Sequence, residues 1–225
     1  MPQLDEADAL ALWESGERLS MLDRAVRLAA VLGGTGIEAA ADLPLPARDR
    51  LLLAALRQMG GPSAAVVATC PECGTLHEAD VALAPLLETS DAAAPQVMLG
   101  DRPAALRPPT SRDLAAAVVS GDAATLAERC CDAPGALADP AAIEEALDAA
   151  FPLLNIMIAM DCDDCGAQFA RRFDPVPLLW AQVAARARAA LATVDCLARA
   201  YGWSEADIFA LSPTRRQLYR EMALQ

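Results

Sequence analysis

Two short elements constrain this chain more than any other feature: Cys70 and Cys73 in TCPECG, and Cys162 and Cys165 in DCDDCG. Each follows a strand-like run, AAVVAT over 64–69 and NIMIAM over 155–160, and each ends on glycine. In such a knuckle the turn aims two thiolates at one ion while backbone amides donate to sulfur, and glycine accepts the positive φ the turn requires. Adding 92 carries Cys70 to Cys162, Cys73 to Cys165, Gly74 to Gly166, Pro85 to Pro177, Leu86 to Leu178 and Leu87 to Leu179, six identities in eighteen aligned positions. The chain therefore reads as two related units of strand, knuckle, strand and Pro-Leu-Leu. Their natural assembly is a zinc ribbon in which Cys70, Cys73, Cys162 and Cys165 hold one structural zinc. Four thiolates at about 2.3 Å in a tetrahedron close the coordination sphere.

The spacing is unusual for a ribbon. Eighty-eight residues lie between Cys73 and Cys162, whereas a compact ribbon uses about 15 to 20. The segment 88–153 thus reads as an inserted subdomain of a hairpin and helices. Metal closing so long a loop has a large part in holding the fold.

Other chemistry finds less support. A thiol–disulfide redox pair needs cations or a helix N-terminus to depress a thiol pKa, but Glu72, Asp161, Asp163 and Asp164 flank these thiols. A catalytic zinc needs an open coordination position, which four cysteines fill. His77, the only histidine, falls on the strand after the first knuckle, a position that allows it near the metal, although a surface or sheet-edge imidazole is the favoured reading. Asp113, Glu144 and Glu145 fall where helix caps and solvated faces are expected, and neither a Gly-x-Ser-x-Gly nor a phosphate-loop pattern is present. No enzyme and no small-molecule substrate are expected. Cys130, Cys131 and Cys196 lack partner spacing and read as core thiols.

Charge narrows the partners. A net charge of −13 and a pI near 4.4 oppose a nucleic-acid surface, which needs a basic stripe. From Arg171 onward eight Arg face five acids, leaving about −16 on the rest, an asymmetry suited to a tail docking on an acidic protein. No run of about 20 apolar residues lacks charge or proline, and the acidic opening MPQLDEADAL does not read as a secretory signal. Seven cysteines without a signal point to a reducing, cytoplasmic setting.

Helices dominate the rest. One is expected through ERLSMLDRAVRLAAVLGG (17–34), and another after Pro46 to Gly60, joined by a short rigid Leu-Pro-Leu-Pro connector. Leu76 to Leu83 reads as the partner of the first strand. Gln96–Leu99 and Ala104–Leu106 read as a hairpin turning at Gly100. Helices follow from Thr110 or Ser111, from about Ala123 to Cys131, and from Asp139-Pro140 to about Ala150. Asp174-Pro175 opens the longest helix, which stops at Gly202, and two short helices capped by Ser204 and Ser212 finish the chain. The expected fold is α+β and mainly helical, with a zinc-ribbon-like pair of knuckle hairpins. Its expected parts are an N-terminal helical region (1–61), the ribbon region (62–175) with its insertion, and a C-terminal helical module (176–225).

The run LARAYGWSEADIFALSPTRRQLYREM, from Leu197 to Met222, resembles the end of phage baseplate hub assembly chaperones of the T-even type and their relatives in contractile injection systems. The resemblance is carried by Tyr201, Gly202, Trp203, Ser204, Asp207 and Ile208. The order of the two knuckles, RPPTSRDL from Arg107 to Leu114, FDPVPLLW before the long helix, and LWE-x-G from Leu12 to Gly16 also look like the zinc-bearing branch of those proteins. It implies a non-enzymatic protein, in the cytoplasm or associated with the particle, that helps assemble the baseplate or its hub. Tyr201, Trp203, Ile208, Phe209, Arg215, Arg216 and Tyr219 would form the partner face, an aromatic and arginine mixture that interfaces favour. The rival for these residues is that they fold the tail back on the body, and Trp180 reads as packing beside the ribbon. A permanent baseplate component is the main alternative, and a zinc-ribbon regulator touching nucleic acid is the weaker one.

Overall fold

A computed structural model describes residues 4–93, 95–99, 101–122, 124–132 and 140–224. The fold is α+β and mainly helical, with three two-stranded antiparallel hairpins.

The N-terminal region supplies α1 (Glu6–Gly16), α2 (Met21–Gly33), α3 (Ile37–Ala41) and α4 (Leu45–Gly60). The helix expected from Glu17 starts later. Ser20 accepts from the Asp23 amide and so fixes the N-terminus of α2, which leaves Leu19 outside it. The expected connector is only partly a connector, because α4 begins at Leu45 with Pro46 in its first turn, where a missing N–H costs nothing.

The first unit consists of β1 (Ser63–Thr69), β2 (Leu76–Ala82) and a helix the sequence did not suggest, α5 (Leu83–Glu88). The second consists of β5 (Met157–Asp161), β6 (Gln168–Arg172) and α9 (Pro175–Tyr201). The 92-residue offset extends into the backbone: Thr69 ends β1 as Asp161 ends β5, Leu76 opens β2 as Gln168 opens β6, and Leu83 opens α5 as Pro175 opens α9. Each Pro-Leu-Leu therefore lies in the first turns of a helix that leaves its hairpin directly.

Between the two units lie β3 (Gln96–Leu99), β4 (Arg102–Ala105), α6 (Ser111–Ser120), α7 (Ala124–Cys130) and α8 (Pro140–Ala150). The expected turn residue Gly100, and Ala123 and Asp139 at two expected helix starts, lie outside the described residues. The chain closes with α10 (Glu205–Ala210) and α11 (Pro213–Ala223).

Two main cores result. The larger gathers Leu12, Leu28, Leu52, Leu53, Val66, Val81, Phe173, Leu179 and Val183, so the N-terminal helices, both units and α9 bury one apolar interior. The expected boundaries near 61 and 175 are thus changes of element type within a shared core. The smaller core, from Val97 to Phe151, includes Leu106, Cys130, Cys131, Ile143 and Leu147, all within the inserted span.

Trp180 belongs to the larger core, but its indole packs on the N-terminal helices. A Cβ at Gly16 would sit 2.3 Å from the indole, and Arg24 lies over the ring 4.7 Å from its centroid while its Nε donates to the Gly16 carbonyl. The LWE-x-G and FDPVPLLW segments are thereby explained as two sides of one close contact. Among the described residues no helix is long and apolar enough to cross a membrane.

Candidate metal centre

Each knuckle is built by the same local bonds. The Cys70 amide donates to Thr75 and the Gly74 amide to Cys70, while the Cys162 amide donates to Ala167 and the Gly166 amide to Cys162, all at 2.8–3.0 Å. Gly74 and Gly166 take φ of 77° and 74°, a region open to glycine at no steric cost. The turn therefore returns the chain to the second strand with both thiols on one side.

The hairpins meet across their sulfurs. Cys70, Cys73, Cys162 and Cys165 have all four Sγ atoms within 4.8 Å of one another. Cys70 Sγ is 3.7 Å from Cys165 Sγ, and Cys73 Sγ is 3.5 Å from Cys162 Sγ. A tetrahedron with metal–sulfur bonds of about 2.3 Å has edges of about 3.8 Å, whereas a disulfide needs about 2.05 Å. The cluster thus has the dimensions of a metal site, and each close pair joins one knuckle to the other. The four thiols could hold a metal ion.

Their proton affinities are uneven. Contacts with Thr75, side chain first and backbone second, draw Cys73 down to about 6. The backbone bond from Ala167 draws Cys165 down, but the thiols of Cys162 and Cys73 outweigh it and leave Cys165 at about 12. Burial pushes Cys162 up. Packed thiols cannot all ionise against their mutual repulsion, and a bound cation would supply the missing charge.

Two neighbours complete the site. The Thr75 hydroxyl donates to Asp164 Oδ2 at 2.6 Å, tying the first knuckle to the second. His77, expected as a plain sheet-edge imidazole, has Nε2 3.1 Å from Cys162 Sγ. The only sequence signal was its place one residue into β2, at the end of the strand that adjoins the knuckle.

The expected partner residues divide. Tyr201, Trp203 and Tyr219 form an aromatic cluster, with Tyr201 stacked on Trp203 at 4.7 Å and Tyr219 edge-on to both. Arg215 is exposed and Phe209 half-buried. Ile208 and Arg216 do not face outward, which corrects the expectation for them. Ile208 is fully buried, and Arg216, 6% exposed, pairs with Glu6 at 2.7 Å and donates to the Ile208, Phe209 and Leu211 carbonyls. These two residues fold the tail onto the body, because a buried guanidinium needs several acceptors at once.

The remaining candidates have structural surroundings. Asp113 sits at the third position of α6 and accepts five hydrogen bonds, from Thr110 Oγ1 and its amide, twice from Arg107, and from Arg129. Burial pushes its carboxyl up, but the bonds from Arg107, Thr110 and Arg129 hold it well below the usual carboxylate range. Glu144 and Glu145 are exposed on α8. Glu144 lines a cleft of about 560 Å³ between the two cores, together with Arg48, Asp49, Leu114, Leu147 and Arg172. Cys130 and Cys131 lie in the smaller core, where burial pushes Cys130 up to about 11, and Cys196 is half-buried.

Compared with protein-family models, with curated proteins and with solved structures, the chain matches none.

Proposed function

We propose that this chain is a non-enzymatic assembly factor, a chaperone for the baseplate hub of a phage-like contractile injection system, built around a structural Zn(Cys)4 centre and acting in the cytoplasm. The observation that carries the metal half is the four-sulfur cluster itself. Four soft thiolates in a closed tetrahedron suit zinc, and they leave no position at which water or substrate could bind. The centre joins two hairpins that flank a long insertion, which is work for a structural ion.

The assembly half is supported by the sequence resemblance of the tail and by the surface that tail presents. Exposed Tyr201, Leu218 and Met222 share with Trp203 and Tyr219 a C-terminal segment richer in Arg than the acidic body. Aromatic and arginine side chains with apolar neighbours are the usual anchors of protein interfaces. The partner in this reading is a baseplate or hub protein.

Two experiments test the halves separately. Elemental mass spectrometry of protein purified without chelator should find about one zinc per chain, lost in Cys162→Ser. Iron, or no metal, would remove the zinc assignment. Co-expression with the baseplate and hub proteins of a contractile system should give a complex that Trp203→Ala weakens, with the chain absent from finished particles. Retention in finished particles would replace the chaperone with a permanent component, and binding to none of those proteins would sink the assembly reading.

A further inference from the structure

The 92-residue relation pairs His77 with Phe169, and the two rings face each other with centroids 6.1 Å apart and planes inclined by 58°. Apart from the Thr75 hydroxyl, which Ala167 lacks, the units are otherwise matched around the sulfurs. The Thr75 backbone bonds to Cys73 as the equivalent Ala167 backbone bonds to Cys165. His77 breaks that match: its Nε2 lies 3.1 Å from Cys162 Sγ, while Phe169 has no N–H to offer a sulfur.

A thiolate bound to metal has no proton and can only accept, so this contact is favourable only when Nε2 carries the hydrogen. Four thiolates on a divalent ion leave a net charge of about two negative units, next to Glu72, Asp161, Asp163 and Asp164. No ion pair among the described residues brings an arginine to those acids. Besides the backbone amides of Asp164 and Cys165 on Cys162, a side-chain N–H on sulfur can disperse that charge, as partners behind metal ligands commonly do.

We infer that His77 is the outer hydrogen-bond donor of the metal centre, holding Nε2–H on the Cys162 sulfur and making the two knuckles unequal. The inference rests on the metal reading above. Cys162, buried and capped, is the sulfur slowest to leave the ion, and release begins at the exposed Cys73 and Cys165. His77 is a positioning residue and not a fifth ligand.

The test uses the full chain loaded with an NMR-active cadmium isotope. An all-sulfur cadmium resonance should correlate with the His77 Hε2 proton, and ring nitrogen shifts should show Nδ1 bare. His77→Phe, which copies the residue at the equivalent position, should bind one cadmium in the same all-sulfur environment yet lose it several-fold faster to excess EDTA. A bare Nε2 in the wild-type chain, or equal release rates in the two proteins, overturns the assignment while leaving the all-sulfur signal intact. Absence of that signal overturns the metal reading, and this inference with it. The tautomer measurement needs no variant, so a His77→Phe chain that fails to fold does not shield the inference.

Discussion

The larger core and the core of the insertion differ in what ties their distant segments together. Beside the larger core, two hairpins separated by the whole insertion bring together four thiols that could hold a metal ion. In the insertion, α6, α7 and the segment between β4 and α6 converge on one carboxylate, Asp113, whose five hydrogen bonds come from the chain itself. In the function proposed above, the first closure is conditional on a metal ion and the second on proton concentration. The insertion is also pinned to the body by the same segment: the Leu45 amide donates to Pro109, Arg48 donates to Ser111, and Arg112 pairs with Glu38 and Asp42.

If that contrast is right, the two closures break independently. The largest effect belongs to the metal side. Cys162→Ser, or chelation of the wild type, should take metal content from about one per chain to near none and abolish the cooperative unfolding of the larger core, followed by calorimetry alongside elemental analysis. Next comes Asp113→Ala, which should cost about 2–3 kcal/mol by removing a cap and a buried acceptor of two arginines. Metal content should not change, and an Asp113→Ala chain that lost its metal would show that the two closures are coupled.

The acid response sharpens the same contrast. Because the folded Asp113 carboxyl is held below its unfolded value, its contribution is fully present above the unfolded pKa of about 4 and is lost as pH falls below that value. Denaturant titrations should show a loss of stability below about pH 4 that is smaller in Asp113→Ala. Metal release, in contrast, is governed by protonation of the thiols, and a metal-sensitive dye should report it at a different pH.

Smaller effects lie at contacts away from the two closures. Gly16→Ala drives a methyl into the Trp180 indole and should cost about 1–3 kcal/mol, with metal retained. Trp203→Ala, at a half-buried position, should change stability by less than about 1 kcal/mol while weakening the proposed partner complex. Global unfolding of Trp203→Ala would mean that the aromatic cluster packs the tail and does not present it.

Much of the molecule was legible because its determinants are local. Thr110, Asp174, Ser204 and Ser212 each accept from an amide two or three residues on and start a helix there. Gly74 and Gly166 mark the knuckle turns, and the 92-residue repeat announces two copies of one unit. What escaped was α5, a six-residue helix too short to show a period, and the buried roles of Ile208 and Arg216, since amphipathic spacing does not say which side will find a body to pack on.

By itself the sequence determined the knuckles, the caps and the class of fold, because hydrogen bonds and φ preferences within a few residues do not depend on the rest of the chain. Only the tertiary structure decided that Cys70 faces Cys165 and Cys73 faces Cys162, that His77 reaches across to the other hairpin's sulfur, that Arg129 joins Arg107 on Asp113, and that Trp180 lies on Gly16. Each of these is a meeting of side chains from rigid elements far apart in the chain. Their partners are set by how helices and hairpins cross as the shared core closes, and no local pattern encodes that crossing.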